Sequence, residues 1–155
     1  MTSKKQLIII AKGKNMLDKE DTKAIESNDP IAQIERMNSK YGFNEIPLTK
    51  EILNFKLSCC IEELSETMNA ANVNHDADGI VDGLVDLSIF AIGILYNAGV
   101  DVRKAFTEVM KANLQKERGI KPTRPNSGGV DLVKPEGWMA PSHKDNLGEF
   151  KNLYE

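Results

Sequence analysis

Cysteine, histidine and any strong excess of charge are what this chain lacks. Its two cysteines, Cys59 and Cys60, are adjacent within a helical stretch. Neighbours on a helix point in different directions, so a mutual disulfide is not expected, and a reduced, cytoplasmic protein is the simpler reading. Only one of the two histidines, His75, falls near the acid clusters of the central helices; a lone loop histidine is most simply exposed, and no imidazole ligand is expected. The formal net charge of −3 argues against a general polyanion-binding surface, so no nucleic acid polymer is expected as partner, while a small nucleotide remains compatible. Long apolar runs are also scarce. Leu7-Ile8-Ile9-Ile10 is too short for a signal-peptide core and leads into Lys12-Gly13-Lys14 without a cleavage site. Residues 80–98 are nearly long enough to span a bilayer, but Asp82 and Asp86 sit in their middle, where ionised groups are costly. They are expected to form the central helix of a soluble bundle, with no membrane partner.

What is present is ordinary globular material: 155 residues, 41% apolar and 28% charged, enough for one domain with a real core. The expected fold class is all-α, a bundle of four main helices. Residues 1–28 are charged and mixed, with a β-like run at 7–10, and read as a loosely attached N-terminal arm. Asp29-Pro30 supplies an N-cap and first-turn proline for a helix to about Lys40, ended by Tyr41-Gly42. Thr49 caps a second helix reaching about Ala71, and residues 72–78 read as a loop. The third helix occupies residues 80–98 and closes at Gly99. Asp101 caps a fourth, ending near Arg118-Gly119. The helical domain thus spans 29–118, and residues 119–155, rich in Pro and Gly, form an irregular C-terminal tail packing on the domain or on a partner subunit.

Two acid clusters need explaining. On the second helix Leu53, Leu57, Cys60, Ile61, Leu64 and Met68 form one stripe, and Glu62, Glu63 and Glu66 fall opposite it. Acids opposite an apolar stripe commonly mark a solvated face. Here Ile52, Phe55 and Cys59 share their side, so a cleft is the competing reading. The third helix is apolar around almost its whole circumference, the pattern of a buried helix, yet carries Asp82 and Asp86 four apart on one face. A buried carboxylate needs a cation, either a basic side chain or a metal. If the clusters face one another, four or five carboxylates converge. All-oxygen ligation favours Mg²⁺ or Mn²⁺ over zinc, and Mg²⁺ leaves positions for water and phosphates.

The fourth helix continues its inward stripe of Val102, Ala105, Phe106 and Val109 as Asn113 and Lys116. These polar groups either hold a phosphate or fray into solvent. Beyond them Lys121, Arg124 and Lys134 are in reach of a phosphate or simply solubilise the tail. Trp138, the only tryptophan, either stacks on a nucleobase or anchors the tail.

In order and spacing these features resemble the all-α nucleoside triphosphate pyrophosphohydrolases: the MazG, dimeric dUTPase and phosphoribosyl-ATP pyrophosphohydrolase superfamily. Glu62-Glu63-Leu64-Ser65-Glu66 matches the Glu-Glu-x-x-Glu motif in full. Asp82-Gly83-Leu84-Val85-Asp86 matches the second acid motif in part, since many members carry Glu where this chain has Gly83, and Asp82 stands in for it. Asn113-Leu114-Gln115-Lys116 looks like the segment that supplies an Asn and a Lys to phosphates, and Lys134-Pro135-Glu136-Gly137-Trp138 is similar to the tails of phage-type and mobile-element members.

The resemblance implies Mg²⁺-dependent cleavage of a nucleoside triphosphate between the α and β phosphates, in a homodimer or dimer of dimers that completes the bundle across its interface. It implies Glu63, Glu66 and Asp86 as the firmest metal ligands, followed by Glu62 and Asp82, with Glu62 as general base. Asn113 and Lys116 would hold phosphates, Lys116 also offsetting charge on the leaving pyrophosphate, and Lys121, Arg124 and Trp138 would complete substrate binding. A nucleotide-pool-sanitising role is the leading expectation. The rivals are a phosphoribosyl-ATP pyrophosphohydrolase and a non-enzymatic helical interaction module.

Overall fold

The computed structural model describes residues 17–154; the β-like run at 7–10 lies outside them. Five α-helices follow in order: α1 Lys19–Glu26, α2 Pro30–Lys40, α3 Lys50–Asn69, α4 Ala77–Asn97 and α5 Val102–Leu114. A two-stranded antiparallel ribbon comes next, β1 Glu117–Gly119 with β2 Asp131–Val133, Glu117 opposite Val133. A 3₁₀ helix at Gly148–Leu153 closes the chain. The all-α expectation holds, with the ribbon as the one sheet among the described residues.

Side-chain caps set the helix starts. Asp29 accepts from the backbone N–H groups of Ile31 and Ala32, Thr49 from Ile52, Asp76 from Asp78 and Gly79, and Asp101 from Lys104. Each satisfies amides that a first turn leaves without partners. Three boundaries differ from expectation. The described end of the N-terminal arm is not irregular, because Asp18 and Asp21 form a reciprocal capping box that starts α1. The loop before α4 is shorter than expected, since Asp76 caps the helix and draws Asp78 into its first turn. Helix α5 stops at Leu114, which leaves Asn113 in the last turn and Lys116 beyond it, in the turn leading to β1. Between α3 and α4 the chain winds through a π turn, Ala70–Asn74, ended by His75 in the left-handed region and closed by the Asp76 amide on the Ala70 carbonyl at 2.9 Å. This turn reverses the chain and lays α4 back along α3.

The core is small. Ile34, Ile92 and Val102 join α2, α4 and α5, with Ile31, Ile89, Leu95 and Tyr96 packed around them. A second cluster, Ala98, Val100 and Ala105, is closed by Leu48 and by Phe150 from the tail. Residues 80–98, expected to be enclosed on all sides, are not enclosed by the described residues: Val81, Leu84 and Val85 are at least half exposed. So are Ile61 and Met68 on α3, with Leu57 and Leu64 nearly so. By length and composition alone α4 is apolar enough to cross a membrane.

Helices α3 and α4 pack closely at Gly83. A Cβ there would lie 2.3 Å from Thr67 Oγ1 and 3.3 Å from Thr67 Cβ. Thr67 is buried and donates its hydroxyl to the Glu63 carbonyl at 2.7 Å. The position that carries Glu in many resembling proteins is therefore filled here by the neighbouring helix.

Helix α1 is held by charge. Asp21, 6% exposed, accepts from Arg36 Nε at 2.9 Å and from Lys40 Nζ, and Arg36 also reaches Asp18 at 2.6 Å. The tail is tied down as well. Asn146 exchanges two 2.9 Å hydrogen bonds with the Asp101 backbone. The Glu149 amide donates to the Ala98 carbonyl at 2.6 Å, an approach that passes Gly148, where φ is +53° and a Cβ would lie 2.0 Å from that carbonyl oxygen.

Two consequences follow for stability. The Lys40 ammonium, with the Asp18 amide and Arg36, holds the Asp21 carboxyl at about 2 instead of 3.8. A depressed carboxyl contributes stability above its ordinary value and loses it as pH falls towards the native one. Wild-type protein should lose stability between about pH 4 and pH 2 more steeply than Asp21→Asn, which should melt lower at neutral pH; thermal melts by circular dichroism across this window check both. Gly83→Ala should cost about 1–3 kcal/mol through overpacking, read by urea titration. Adding Thr67→Ala should recover much of that loss, a coupling that independent sites would not show.

Candidate functional site

The carboxylates of α3 and α4 are brought together by the Gly83–Thr67 contact. Glu63 lies one turn before Thr67 and Asp86 one turn after Gly83, so both side chains emerge on the same side of the helix pair. They line a cavity of about 440 Å³ with Lys56 from α3, Met37 and Asn38 from α2, Phe43, and Ile89, Phe90 and Gly93 from α4. Glu63 and Asp86 are half-buried, whereas Glu62, Glu66 and Asp82 are exposed. Burial and then the neighbouring Asp86, followed by Glu66, Glu62 and Asp82, push the Glu63 carboxyl above its ordinary range. A carboxyl raised by four others marks a convergence of negative charge.

The donor set suits a hard divalent cation: all oxygen, several carboxylates, and repulsion that a cation would relieve. Among the described residues, however, no three Asp, Glu, His or Cys side chains already stand in a metal-binding arrangement. His75, in the turn before α4, does not line the cavity. Lys56 was not foreseen. Its ammonium lies 5.6 Å from the Phe43 ring centroid and pairs with no carboxylate among the described residues. A cation beside an acid cluster has a use if an anionic ligand shares the site.

The C-terminal residues gather elsewhere. Asn113 Oδ1 accepts from Lys116 Nζ at 2.8 Å, and that ammonium stands 5.2 Å from the centre of the Trp138 ring. Lys134 lies over the same ring at 4.4 Å. The Trp138 indole N–H donates to the Ala112 carbonyl at 2.7 Å, so this side chain pins the tail to the end of α5. Lys121 and Arg124 both bind Asp131, at 3.3 and 2.9 Å, and brace the turn between β1 and β2. None of Asn113, Lys116, Lys121, Arg124 and Trp138 lines the cavity that holds Glu63 and Asp86. Of the ten residues singled out from the sequence, the single chain places Glu63 and Asp86 in one cavity, with Glu62, Glu66 and Asp82 near enough for their charges to act on Glu63, and gathers Asn113, Lys116 and Trp138 elsewhere.

Asn38, Phe43, Lys56 and Phe90 belong to the cavity and were missed. One signal was legible: Asn38 continues the inward stripe of Ile31 and Ile34 on α2, a polar residue where an apolar one is expected.

Among known proteins, the family described as phosphoribosyl-ATP pyrophosphohydrolase matches residues 36–113, half of the chain. The matched stretch runs from the end of α2 through both acid clusters to Asn113, and stops short of Lys116. Neither the curated proteins nor the solved structures contain a match to this sequence. With the paired acid helices and the family match together, the chain belongs to the phosphoribosyl-ATP pyrophosphohydrolase family of the MazG-like all-α superfamily, whose members are hydrolases acting on phosphoric anhydride bonds.

Proposed function

We propose that this protein is a Mg²⁺-dependent nucleoside triphosphate pyrophosphohydrolase, converting a (d)NTP to the nucleoside monophosphate and pyrophosphate and so controlling the nucleotide pool. The observation that carries the reading is the Glu63 carboxyl, raised by burial and by Asp86, Glu66, Glu62 and Asp82 in a cavity that also holds Lys56. Glu63, Glu66 and Asp86 would hold the ion, assisted by Glu62 and Asp82; Mn²⁺ suits the same donors. When bound, the metal neutralises phosphate charge and lowers the pKa of a water. Glu62, exposed at the rim of the cluster, accepts the proton of the water that attacks the α phosphorus. A new P–O bond forms there, and the bond to the bridging oxygen breaks, its electron pair leaving with pyrophosphate. Lys56, which lines the same cavity, would balance phosphate charge.

Asn113 and Lys116 are proposed to reach the phosphates from a second copy, since their own cavity contains neither. A homodimer, or a dimer of dimers, is supported by the apolar side chains that α3 and α4 leave uncovered: Ile61, Leu64, Met68, Val81, Leu84 and Val85. Isologous packing over this face would bury them and close each cleft. The free thiols of Cys59 and Cys60 accord with a cytoplasmic setting.

The matched family is named for a different substrate, phosphoribosyl-ATP, which is the second reading. A panel of ribo- and deoxynucleoside triphosphates and phosphoribosyl-ATP, assayed with Mg²⁺ for pyrophosphate release, separates the two. Turnover of phosphoribosyl-ATP alone would replace the first reading.

Asp86→Asn should abolish turnover and leave the helical circular dichroism intact, and Glu63→Gln should behave alike. Because the Glu63 carboxyl is raised, its stabilising contribution is present at low pH and lost as pH rises through the native value. Metal-free wild type should therefore gain less than Glu63→Gln on moving to neutral pH, and Mg²⁺ should raise the melting temperature of wild type but not of Asp86→Asn. Loss of the fold in Asp86→Asn would instead assign that residue to structure.

Sedimentation at micromolar concentration should give a dimer or higher even oligomer. Leu64→Glu, placed in the exposed apolar stripe, should shift it towards monomer and reduce turnover by at least about tenfold, if the second copy completes the cleft. A fully active monomer would overturn this arrangement.

A further inference from the structure

The chain beyond Trp138 lies back along α5 and is fastened at two places. At the end of α5 the Trp138 indole N–H donates to the Ala112 carbonyl. At its start Asn146 bonds twice to the Asp101 backbone, Lys104 pairs with Asp145 at 2.7 Å, and the Glu149 amide meets the Ala98 carbonyl. Residues 139–142, between the two, make no backbone hydrogen bond among the described residues. The second fastening closes an apolar cavity of about 400 Å³, with Val100, Phe106 and Val109 on one side and Leu147 and Phe150 on the other. An unfilled cavity forfeits dispersion contacts that its walls would otherwise make. Asn97, the last residue of α4, is worse placed. Both heteroatoms of its side-chain amide are buried, and neither has a hydrogen-bond partner among the described residues. Leu48 and Glu149 line the small cavity beside it, and the Glu149 amide holds the adjacent Ala98 carbonyl, so the docked tail helps to shut water out. A buried amide without partners carries its full desolvation penalty.

We propose that residues 143–153 form a releasable strap, which lifts away from α4 and α5 as a unit, turning on residues 139–142, while the helices stay folded. Release opens Asn97 to water and restores its hydrogen bonding. It forfeits the Asn146 and Glu149 bonds, the contact of Phe150 with the Ala98 cluster, and the Lys104–Asp145 pair, which is exposed and contributes little. The docked state therefore keeps only a small margin, and segments of this kind open locally, ahead of global unfolding. What the strap controls is α5. While docked, it covers Phe106 and Val109 on the helix whose last turn holds Asn113; on release they lose that cover. A ligand that distinguishes the two states would act on α5 from outside the acid cavity, by biasing an equilibrium already present in the free protein. The strap is a property of the fold and stands whether or not the proposed reaction does.

Native-state hydrogen exchange on the full chain tests the strap. The Glu149 and Asp101 amides, both bonded across its contact with the body, should exchange together and at least about 100-fold faster than the Ile89 and Ile92 amides within α4. Asn97→Leu, which keeps the branching and removes both polar atoms, should slow the Glu149 and Asp101 amides by about 10- to 100-fold. Asn97→Asp puts a charge where docking would bury it and should release the strap. Trypsin should then cut after Lys144 and Lys151 at least about tenfold faster than in wild type, with the helical circular dichroism retained. This variant also decides the matter if Asn97→Leu does not fold. Exchange of Glu149 and Asp101 only in step with Ile89 and Ile92 would overturn the proposal, as would unchanged or faster exchange in folded Asn97→Leu. So would an Asn97→Asp protein that loses its helices together with the strap, or one in which Lys144 and Lys151 stay as protected as in wild type.

Discussion

The contact between Gly83 and Thr67 governs the architecture of this protein. Two helices can approach this closely only where one of them has no side chain, and there the hydroxyl of Thr67 already folds back onto the Glu63 carbonyl. The approach fixes the rotation of α3 against α4. One turn away from it along each helix, Glu63 and Asp86 come out on a common face, with Glu62, Glu66 and Asp82 near enough for their charges to act on Glu63. Bringing like charges together opposes folding, and the hydrophobic clusters around Ile92 and Ala98 must outweigh that repulsion.

The rest of the chain divides into braces and open surfaces. Helix α1 is held to α2 by the Asp21 ion pairs, and the tail is pinned at Trp138, Asn146 and Glu149. These contacts lie away from the acid cavity and leave it open. Among the described residues the outer faces of α3 and α4 remain apolar and uncovered. A helix pair with carboxylates on one side and Leu, Val, Ile and Met on the other has two surfaces to satisfy. The proposed cation and the proposed second copy would each satisfy one.

Much of this was legible in the sequence. Asp29-Pro30, Thr49 and Asp101 announced three helix starts correctly, because a cap is a local device whose partner amides lie within three residues. The acid motifs were legible for the same reason: a spacing of three or four on a helix puts side chains on one face whatever surrounds it. Gly83 was read as a departure from the superfamily pattern, and the structure gives that departure a reason, since Thr67 fills the space. The end of α5 was misplaced by about one turn. Nothing in Gln115 to Arg118 forbids a helix; pairing of Glu117–Gly119 with a strand fourteen residues downstream competes for that backbone.

The sequence by itself determined the helical class, three of the helix caps, the two acid clusters and the family, all properties carried by short spacings along the chain. Only the tertiary structure decided what those residues face. It committed Lys121 and Arg124 to Asp131, drew Lys116 onto Asn113 and Trp138, and placed Asn38 and Lys56 in the cavity with Glu63 and Asp86. The reason is one of range. A cap or an i, i+4 pair is fixed by covalent proximity, whereas the partner of a long cation or a buried amide is chosen by which helices meet and at what rotation.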